Sequence, residues 1–264
     1  MMQLQDYNIY ALENNVNLGQ FKNINVVKEL PNNLSKFFDE KNIQYVIHLA
    51  TNSERNNQVE VIEDIVRTNI ELGLNILNAS AKSNVKKIIS AGSYSQNVTL
   101  LPLNAYTISK NYFEDLQRFF SIKHALGNVS IHFGDIYGPS DKRNKLIPYM
   151  RKHEDDNLIT FESDGKGLFS PVFINDAVKS IIVELEKDNK DFFIVKTVAS
   201  ELMSVVDFVT KYKEIREKQF EVLFTKQIVN RYSSTQNFKP SKKLNYDLKQ
   251  SSKTTFSNMI HIKI

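Results

Sequence analysis

Residues 86–124 have the sequence KKIISAGSYSQNVTLLPLNAYTISKNYFEDLQRFFSIKH. The segment begins with an apolar run at Lys87–Ser90 that is typical of a strand, and it continues into a helical pattern over residues 104–124. Tyr106 and Lys110 lie near the start of that helix and share one face of it, because they are four residues apart. A nearby cation lowers the pKa of a tyrosine, which can then exchange a proton with a substrate hydroxyl or carbonyl. The pattern therefore indicates an acid/base pair, and the alternative is a solvated lysine beside a half-buried tyrosine.

Strand and helix patterns alternate along most of the chain, which predicts right-handed crossovers and a parallel sheet of the α/β class. We expect one α/β unit over residues 1–140, to which segments at about 170–200 return, and a smaller C-terminal lobe over residues 141–264. The predicted strands are Tyr7–Leu12, Asn25–Lys28, Tyr45–Leu49, Lys87–Ser90, Val129–Phe133, Phe192–Val198 and Glu221–Phe224, and the predicted helices are Leu34–Lys41, Val59–Ser83, Asn104–His124, Asn144–Glu154, Asn175–Lys187 and Ser204–Lys218.

Composition excludes several classes of protein. The 264 residues contain no cysteine, so disulfides and thiolate metal sites or nucleophiles are excluded. The net charge of +4 comes from 34 basic and 30 acidic residues that are interspersed, and it does not indicate nucleic-acid binding. The sequence shows no cluster with metal-ligand spacing, and we predict no metal. No apolar run approaches the roughly 20 residues of a membrane span, and the N-terminus does not resemble a secretion signal. We therefore expect a soluble cytoplasmic protein that contacts neither nucleic acid nor membrane.

Short motifs follow one another in the order in which one large family has them, from about residue 7 to residue 249. Together they make the sequence resemble the extended short-chain dehydrogenase/reductases, the NAD-dependent epimerases and dehydratases of nucleotide sugars. The short loop before AYTISK also resembles the subgroup that makes CDP-linked dideoxyhexoses, such as paratose and abequose synthases. The motifs are IQYVIHLAT at Ile43–Thr51, RTNIELGLNIL around Asn69, KKIISAGS at Lys86–Ser93, YTISK at Tyr106–Lys110, HFGDIYGP at His132–Pro139, PVFINDAVKSII at Pro171–Ile182 and LNYDLK at Leu244–Lys249.

The resemblance implies a Rossmann-like doubly wound parallel sheet with a smaller C-terminal α+β substrate lobe. It implies that Tyr106 is the acid/base at the sugar C4 oxygen. Lys110 then lowers the pKa of Tyr106 and hydrogen-bonds the nicotinamide ribose. Ser93 is the expected hydroxyl partner, and Ser90 is the alternative. The family relationship implies a nucleotide-sugar epimerase, dehydratase or 4-ketoreductase that uses NAD or NADP, and an acid at Glu13 favours NAD.

The same resemblance assigns binding residues. It implies that Ala50, Thr51, Asn69, Lys110 and Ile136 border the cofactor. Residues beside the sugar are expected to be Ser93, Tyr137 and Gly138. Where the family has Arg-Asp before the segment at Pro171, this chain has Phe169-Ser170, and a phenylalanine cannot pair with a phosphate. Arg231 and Lys226 are candidate replacements for that arginine. His48 is interpreted as a packed histidine, and Asp176 as a structural residue.

One family feature is missing from the sequence, the glycine loop G-x-x-G-x-x-G that receives a dinucleotide pyrophosphate at a helix N-terminus. No three of the eight glycines fall within seven residues. Against the family pattern the chain begins roughly 20 to 25 residues late, so we expect an N-terminally truncated sheet. Three explanations remain open: a truncated gene product or start-site error, movement of Tyr7–Leu12 into the central position, or a relative that has abandoned the dinucleotide.

Two further expectations follow. The chain as given is predicted to bind NAD(H) poorly, and the competing functional hypothesis is a cofactor-free, non-catalytic relative that binds a sugar nucleotide or a partner protein. The helices at 59–83 and 104–124 are also predicted to form a four-helix bundle in a homodimer. The apolar residues assigned to that contact are Leu72, Ile76, Phe113, Leu116 and Phe120.

Overall fold

A computed structural model describes residues 7–12, 24–28, 30–54, 58–98, 104–139, 141–188 and 192–225. The strands are β1 (Ile9–Leu12), β2 (Ile24–Val27), β3 (Tyr45–His48), β4 (Lys87–Ser93), β5 (Gly127–Phe133), β6 (Asp135–Tyr137), β7 (Leu158–Phe161), β8 (Leu168–Phe169), β9 (Pro171–Phe173), β10 (Phe193–Val198), β11 (Met203–Ser204) and β12 (Glu221–Phe224). The helices are α1 (Leu34–Glu40), α2 (Val59–Ile65), a π-helical turn (Val66–Glu71), α3 (Leu72–Ala81), α4 (Ser95–Val98), α5 (Ala105–His124), α6 (Leu146–His153), α7 (Ile174–Glu186) and α8 (Val205–Arg216).

The main sheet has four parallel strands in the order β10-β5-β4-β3. Helices cover both faces of this sheet, as is usual for parallel sheets. Ile88 packs with α1, α3 and α5 on one face, whereas its neighbour Ile89 packs with α7 on the other. The α/β class and the Rossmann-like, doubly wound parallel sheet predicted from the sequence are confirmed.

Strands β1 and β2 form a separate parallel pair, with Ile9 opposite Ile24. The first strand therefore pairs with β2 and not with β3, and within the described residues it has not taken a central position in the main sheet. No described strand pairs with the outer edge of β3. Ile47 and Leu49, at the end of β3, are 43% and 50% exposed. This edge is both unpaired and apolar.

The remaining described strands form short pairs, β6 with β9, β7 with β12 and β8 with β11, and α6 and α8 pack with them. Met150, Ile159 and Phe208 are almost fully buried at the centre of this group. Helix α8 begins with a capping box in which Ser204 and Asp207 satisfy each other's backbone N–H groups. No helix among the described residues is long and apolar enough to cross a membrane.

The predicted dimer contact is partly corrected by the packing of α5. Phe113 and Phe120 are 4% and 5% exposed and lie in the core of their own chain, so they are not available to a second copy. Leu116 and Ile76 also pack against that core. The apolar side chains that α5 exposes to solvent are instead Ile108, Tyr112, Phe119 and Ile122.

Candidate active site

The carboxyl ends of β3, β4 and β5 lie together because the three strands are parallel, and the first turn of α5 carries Tyr106. Helix α5 begins at a defined residue, because the Asn104 side chain accepts a hydrogen bond from the backbone N–H of Thr107 at 2.8 Å. It ends at Ala125, which has a left-handed φ of 51°. Tyr106 is half-buried in this first turn.

Lys110 is held against the end of β4. Its Nζ donates to the carbonyl oxygen of Ala91 at 2.7 Å and lies 5.9 Å from the centre of the Tyr106 ring. The side chain is 7% exposed, and this burial lowers the pKa of Lys110 to about 8. The structure therefore brings Tyr106 and Lys110 together, with a buried ammonium beside the phenol ring.

The two candidate serines have different surroundings. Ser93 ends β4, and its hydroxyl lies 2.9 Å from that of Ser95, which is in turn 3.4 Å from the hydroxyl of Thr107 in the first turn of α5. The hydroxyl of Ser90 instead donates to Gln117 at 3.1 Å inside the protein, and Ser90 is only 2% exposed. A chain of hydroxyls thus connects Ser93 to the turn that carries the tyrosine, whereas Ser90 belongs to the core.

Asn69 lies in the π-helical turn, a local geometry that is frequent at functional sites. Its Oδ1 accepts hydrogen bonds from the N–H of Asn52 at 2.7 Å and from the Thr51 hydroxyl at 3.1 Å. Its Nδ2 donates to the carbonyl of Asn52 and to the hydroxyl of Ser109, both at 2.9 Å. All four hydrogen-bonding positions of the amide are occupied. Asn69 therefore fixes the loop after β3, in which Ala50 and Thr51 are exposed.

Three of the residues expected at the site lie at the end of β6 and in the turn after it. Ile136 packs against the core around α7, and the Tyr137 ring is buried with its centre 5.5 Å from that of Phe173. A Cβ on Gly138 would lie 2.9 Å from a methyl group of Ile174, so the close approach of α7 requires glycine there.

Two arginines that the sequence reasoning missed hold this turn. Arg143 donates to the carbonyl of Ile136 at 2.9 Å and Arg151 to that of Gly138 at 3.3 Å. The lobe residue Phe169 is buried edge-to-face against Phe208. Arg231 and Lys226 lie outside the described residues, as does the LNYDLK segment, so their assigned roles stay predictions.

A polar stripe along α5 was also missed. Glu114, Gln117 and Ser121 continue the face that carries Tyr106 and Lys110, at successive spacings of four, four, three and four residues. Their side chains bond to Ser130, Ser90 and Asn128 of the two central strands. The spacing was visible in the sequence, but a search for apolar periodicity does not detect it. Among the described residues, no group of three or more His, Cys, Asp or Glu could hold a metal ion.

His48, at the end of β3, is buried and packs edge-to-face on Phe113 with ring centres 5.4 Å apart. Burial, and then the charge of Lys110, lower the pKa of His48 to about 4. The imidazole is therefore neutral in the folded protein at neutral pH, which agrees with a packed histidine.

This shift predicts acid sensitivity. The unfolded chain protonates His48 below pH 6.5, whereas the folded chain does so only near pH 4. The free energy of unfolding should therefore decrease as the pH falls from 6.5 toward 4, by on the order of 3 kcal/mol. Urea titrations at pH 7 and pH 4.5 should show a smaller loss of unfolding free energy in His48→Leu than in the wild type. His124→Gln, at an exposed position on α5, is the matched control. An equal loss in wild type and His48→Leu would contradict the prediction.

The sequence matches the NAD dependent epimerase/dehydratase family over residues 2–194. The chain belongs to this family. CDP-abequose synthase of Salmonella typhimurium is 24% identical to it over 148 residues, 53% of this chain and 48% of that protein. An uncharacterised UDP-glucose epimerase of Bacillus subtilis is 26% identical over 172 residues, 64% of this chain and 54% of that protein. The chain thus spans about half the length of these curated relatives.

Solved structures support the same fold for this epimerase/dehydratase family member. UDP-glucuronic acid 4-epimerase from Bacillus cereus, in complex with UDP-glucuronic acid and NAD, has a TM-score of 0.77 at 16% identity, covering 98% of this chain and 93% of that one. UDP-glucose 4-epimerase from Thermotoga maritima, with UDP-glucose, has a TM-score of 0.75 at 18% identity, covering 96% and 91%. At these identities the likeness is one of fold.

The residues fit a dinucleotide at one end only. At the nicotinamide ribose end, the buried Lys110 ammonium is a suitable donor, because Ala91 takes only one of its three protons in the bonds described. At the pyrophosphate end, no described strand pairs with the outer edge of β3, and the sequence has no cluster of three glycines to let a backbone approach phosphate. Among the described residues, Lys110 is therefore a candidate donor to a ribose, and no glycine loop for a pyrophosphate is present.

Proposed function

We propose that this protein acts at C4 of a nucleotide sugar, as an epimerase, dehydratase or 4-ketoreductase, with Tyr106 as the acid/base. The observation that carries the proposal is the grouping of Tyr106, the buried Lys110 and the hydroxyl chain from Ser93 at the carboxyl end of the main sheet. When bound, the nicotinamide of NAD or NADP supplies the hydride chemistry.

The chain's own residues would divide the work. Tyr106 exchanges the proton of the C4 hydroxyl or carbonyl oxygen. Lys110 stabilises the phenolate through its charge and bonds the ribose, and Ser93 orients the sugar oxygen. Tyr137 and Gly138 form the turn against which the sugar lies, and Ile136 borders the nicotinamide. Asn69 orders the Ala50–Thr51 loop beside the cofactor.

The second candidate function is binding without catalysis, of a sugar nucleotide or a partner protein. It is favoured by the unpaired edge of β3 and by the missing glycine loop. Calorimetry separates the two functions when UDP-glucose and NAD are titrated separately and together. Catalysis predicts that bound sugar tightens NAD binding or is oxidised by NAD, whereas binding alone predicts a sugar isotherm that NAD leaves unchanged. Absence of any sugar-nucleotide isotherm would contradict catalysis and sugar binding, and would leave only the partner-protein alternative.

We also propose that the protein is a homodimer whose contact is formed by α2 and α5 of each copy in a four-helix bundle. Support comes from exposed apolar side chains. Val59 is in α2 and Val66 is in the π-helical turn that follows it, while Phe119 and Ile122 are in α5. Ile122 is 75% exposed, and together with Ile108, Tyr112 and Phe119 it gives α5 several exposed apolar side chains, a feature that marks protein–protein contacts when they are contiguous.

Ile122→Glu is expected to convert the dimer to a monomer, because it places a charge within an interface of roughly 1,600 Å². Light scattering at micromolar concentration measures the mass. Val178→Glu, on the exposed face of α7, is the control and should remain dimeric. A monomeric wild type would overturn the proposal.

A further inference from the structure

The carboxylate of Glu114 is the centre of a partly buried hydrogen-bonded cluster beside the proposed site. It lies on α5 one turn after Lys110, and its Oε2 accepts hydrogen bonds from Ser130 at 2.9 Å, from Gln96 at 3.4 Å and from the His132 ring at 2.5 Å. Burial alone would raise the pKa of Glu114, but the hydrogen bonds from His132 and Ser130 outweigh it and hold the pKa below its usual value. The carboxylate therefore stays charged and acts only as an acceptor.

The ring proton of His132 can be assigned from its two neighbours. Nδ1 of His132 lies 2.9 Å from Nδ2 of Asn97, which is an amide nitrogen and can only donate. Nδ1 is therefore the acceptor, and the ring proton is on Nε2, where it points to Glu114. The same Asn97 nitrogen also donates to the hydroxyl of Thr197 at 3.3 Å. His132 thus connects α4 to α5 through β5.

The cluster continues to Ser93 through Gln96. The Oε1 of Gln96 accepts the backbone N–H of Ser93 at 2.8 Å, while its Nε2 donates to Glu114. The space above Gly92 is filled from two sides, since a Cβ there would lie 2.4 Å from Cδ2 of His132 and 2.9 Å from Oε1 of Gln96. The backbone of Gly92 and Ser93 is therefore held between the His132 ring and the Gln96 amide.

We propose that Gln96, Glu114 and His132 are positioning residues that fix Ser93 at the end of β4. Glu114 orients the Gln96 amide, and Gln96 holds the Ser93 backbone. The His132 ring packs against Gly92 and so restricts the same segment of β4. The consequence for turnover rests on the proposed function, because Ser93 is the residue that orients the sugar oxygen. The positioning itself does not depend on activity.

The first test needs no substrate. Gln96→Met keeps the length of the side chain but removes both hydrogen bonds, so hydrogen exchange of the Ser93 amide should accelerate by roughly 3- to 10-fold, the loss expected for one hydrogen bond. Gln117→Met makes the same change in the neighbouring Ser90 network and should leave the Ser93 amide unchanged. Nitrogen NMR of His132 should show the proton on Nε2, and Glu114→Gln should keep it there because the new amide oxygen still accepts it. An unchanged Ser93 amide in Gln96→Met, or a proton on Nδ1 in the wild type, would overturn the proposal.

The second test uses turnover in a form that binds NAD. Gln96→Met should lower kcat by about 10-fold with little change in KM, since the bound sugar is held but not oriented. Glu114→Gln should retain more of kcat than Glu114→Ala, because its carbonyl oxygen still accepts the His132 proton. Equal kcat for Gln96→Met and wild type would contradict the positioning role. If the exchange and NMR results hold but the wild type turns over no sugar, the proposed function fails while the positioning cluster stands.

Discussion

Tyr106→Phe is expected to lower turnover of the nucleotide sugar by about 10²- to 10⁴-fold, the contribution of a positioned general acid/base. The substitution removes the transferable proton and keeps the ring, so the fold and the cation contact with Lys110 should persist. Single-turnover kinetics in a form of the protein that binds NAD is the measurement, with circular dichroism to verify the fold. If the substitution leaves turnover unchanged, Tyr106 is not the acid/base and its spacing from Lys110 is a coincidence. That result would favour binding without catalysis.

The two serines supply the comparison for that result. Ser93→Ala should reduce turnover by less than Tyr106→Phe, because its hydroxyl orients the substrate without moving the proton. Ser90→Ala should mainly reduce stability, by about 1–3 kcal/mol, because it leaves the buried Gln117 oxygen without its donor. If Ser90→Ala is the more damaging to kcat, the assignment of Ser93 is wrong.

Binding of NAD(H) is expected to be weaker than micromolar in the 264-residue chain and about 100-fold or more tighter when a strand–glycine-loop–helix unit is fused ahead of Met1. The added strand would pair with the free edge of β3, and its helix would cover Ile47 and Leu49. The glycine loop would then present backbone N–H groups to the pyrophosphate. A factor of 100 is about 2.7 kcal/mol, which one or two charge-assisted hydrogen bonds provide.

NADH fluorescence titration measures this gain, and the same fusion with the three loop glycines replaced by valine is the control. In the control, the added strand and helix should still pair with β3 and cover Ile47. The affinity for NADH should not increase, because the valine side chains block the approach of the pyrophosphate. Micromolar or tighter binding by the unfused chain would contradict the prediction. It would mean that the segment at Tyr7–Leu12 and the loop after it provide a cradle of their own.

Most of the fold could be predicted because buried parallel strands such as β4 contain a short apolar run, and long helices such as α5 have clear periodicity and a defined N-cap. The π-helical turn between α2 and α3 was not predicted, because a single inserted residue leaves most of the apolar spacing of a long helix unchanged. The short pair β8–β11 was missed because two residues have no measurable period. These features depend on packing between segments that are distant in sequence.

The site was predictable only where residues lie close together in sequence. YTISK and SAGS gave Tyr106, Lys110 and Ser93 as candidates, and the fold brings these three residues together at the carboxyl end of the main sheet. Helix α5 has more apolar residues than one buried face needs. The sequence does not show which of them face the core of their own chain, so Phe113 and Phe120 were wrongly assigned to a dimer contact. The hydrogen bonds of Glu114 were equally invisible, because His132 and Gln96 reach it from different elements.

The most direct test of the central claim is whether a nucleotide sugar exchanges hydride with the nicotinamide on this protein in a Tyr106-dependent way. The fused form, loaded with NAD, would be mixed with UDP-glucose or UDP-glucuronic acid, and loaded with NADH, with a CDP-linked 4-keto sugar. Both nicotinamide absorbance and the sugar product are followed, because an epimerase or a dehydratase regenerates its NAD. We expect a change in absorbance or in the sugar with at least one substrate in the wild type, and a change at least 100-fold slower in Tyr106→Phe. Equal rates in the two proteins, or no change with any sugar that binds, would contradict it.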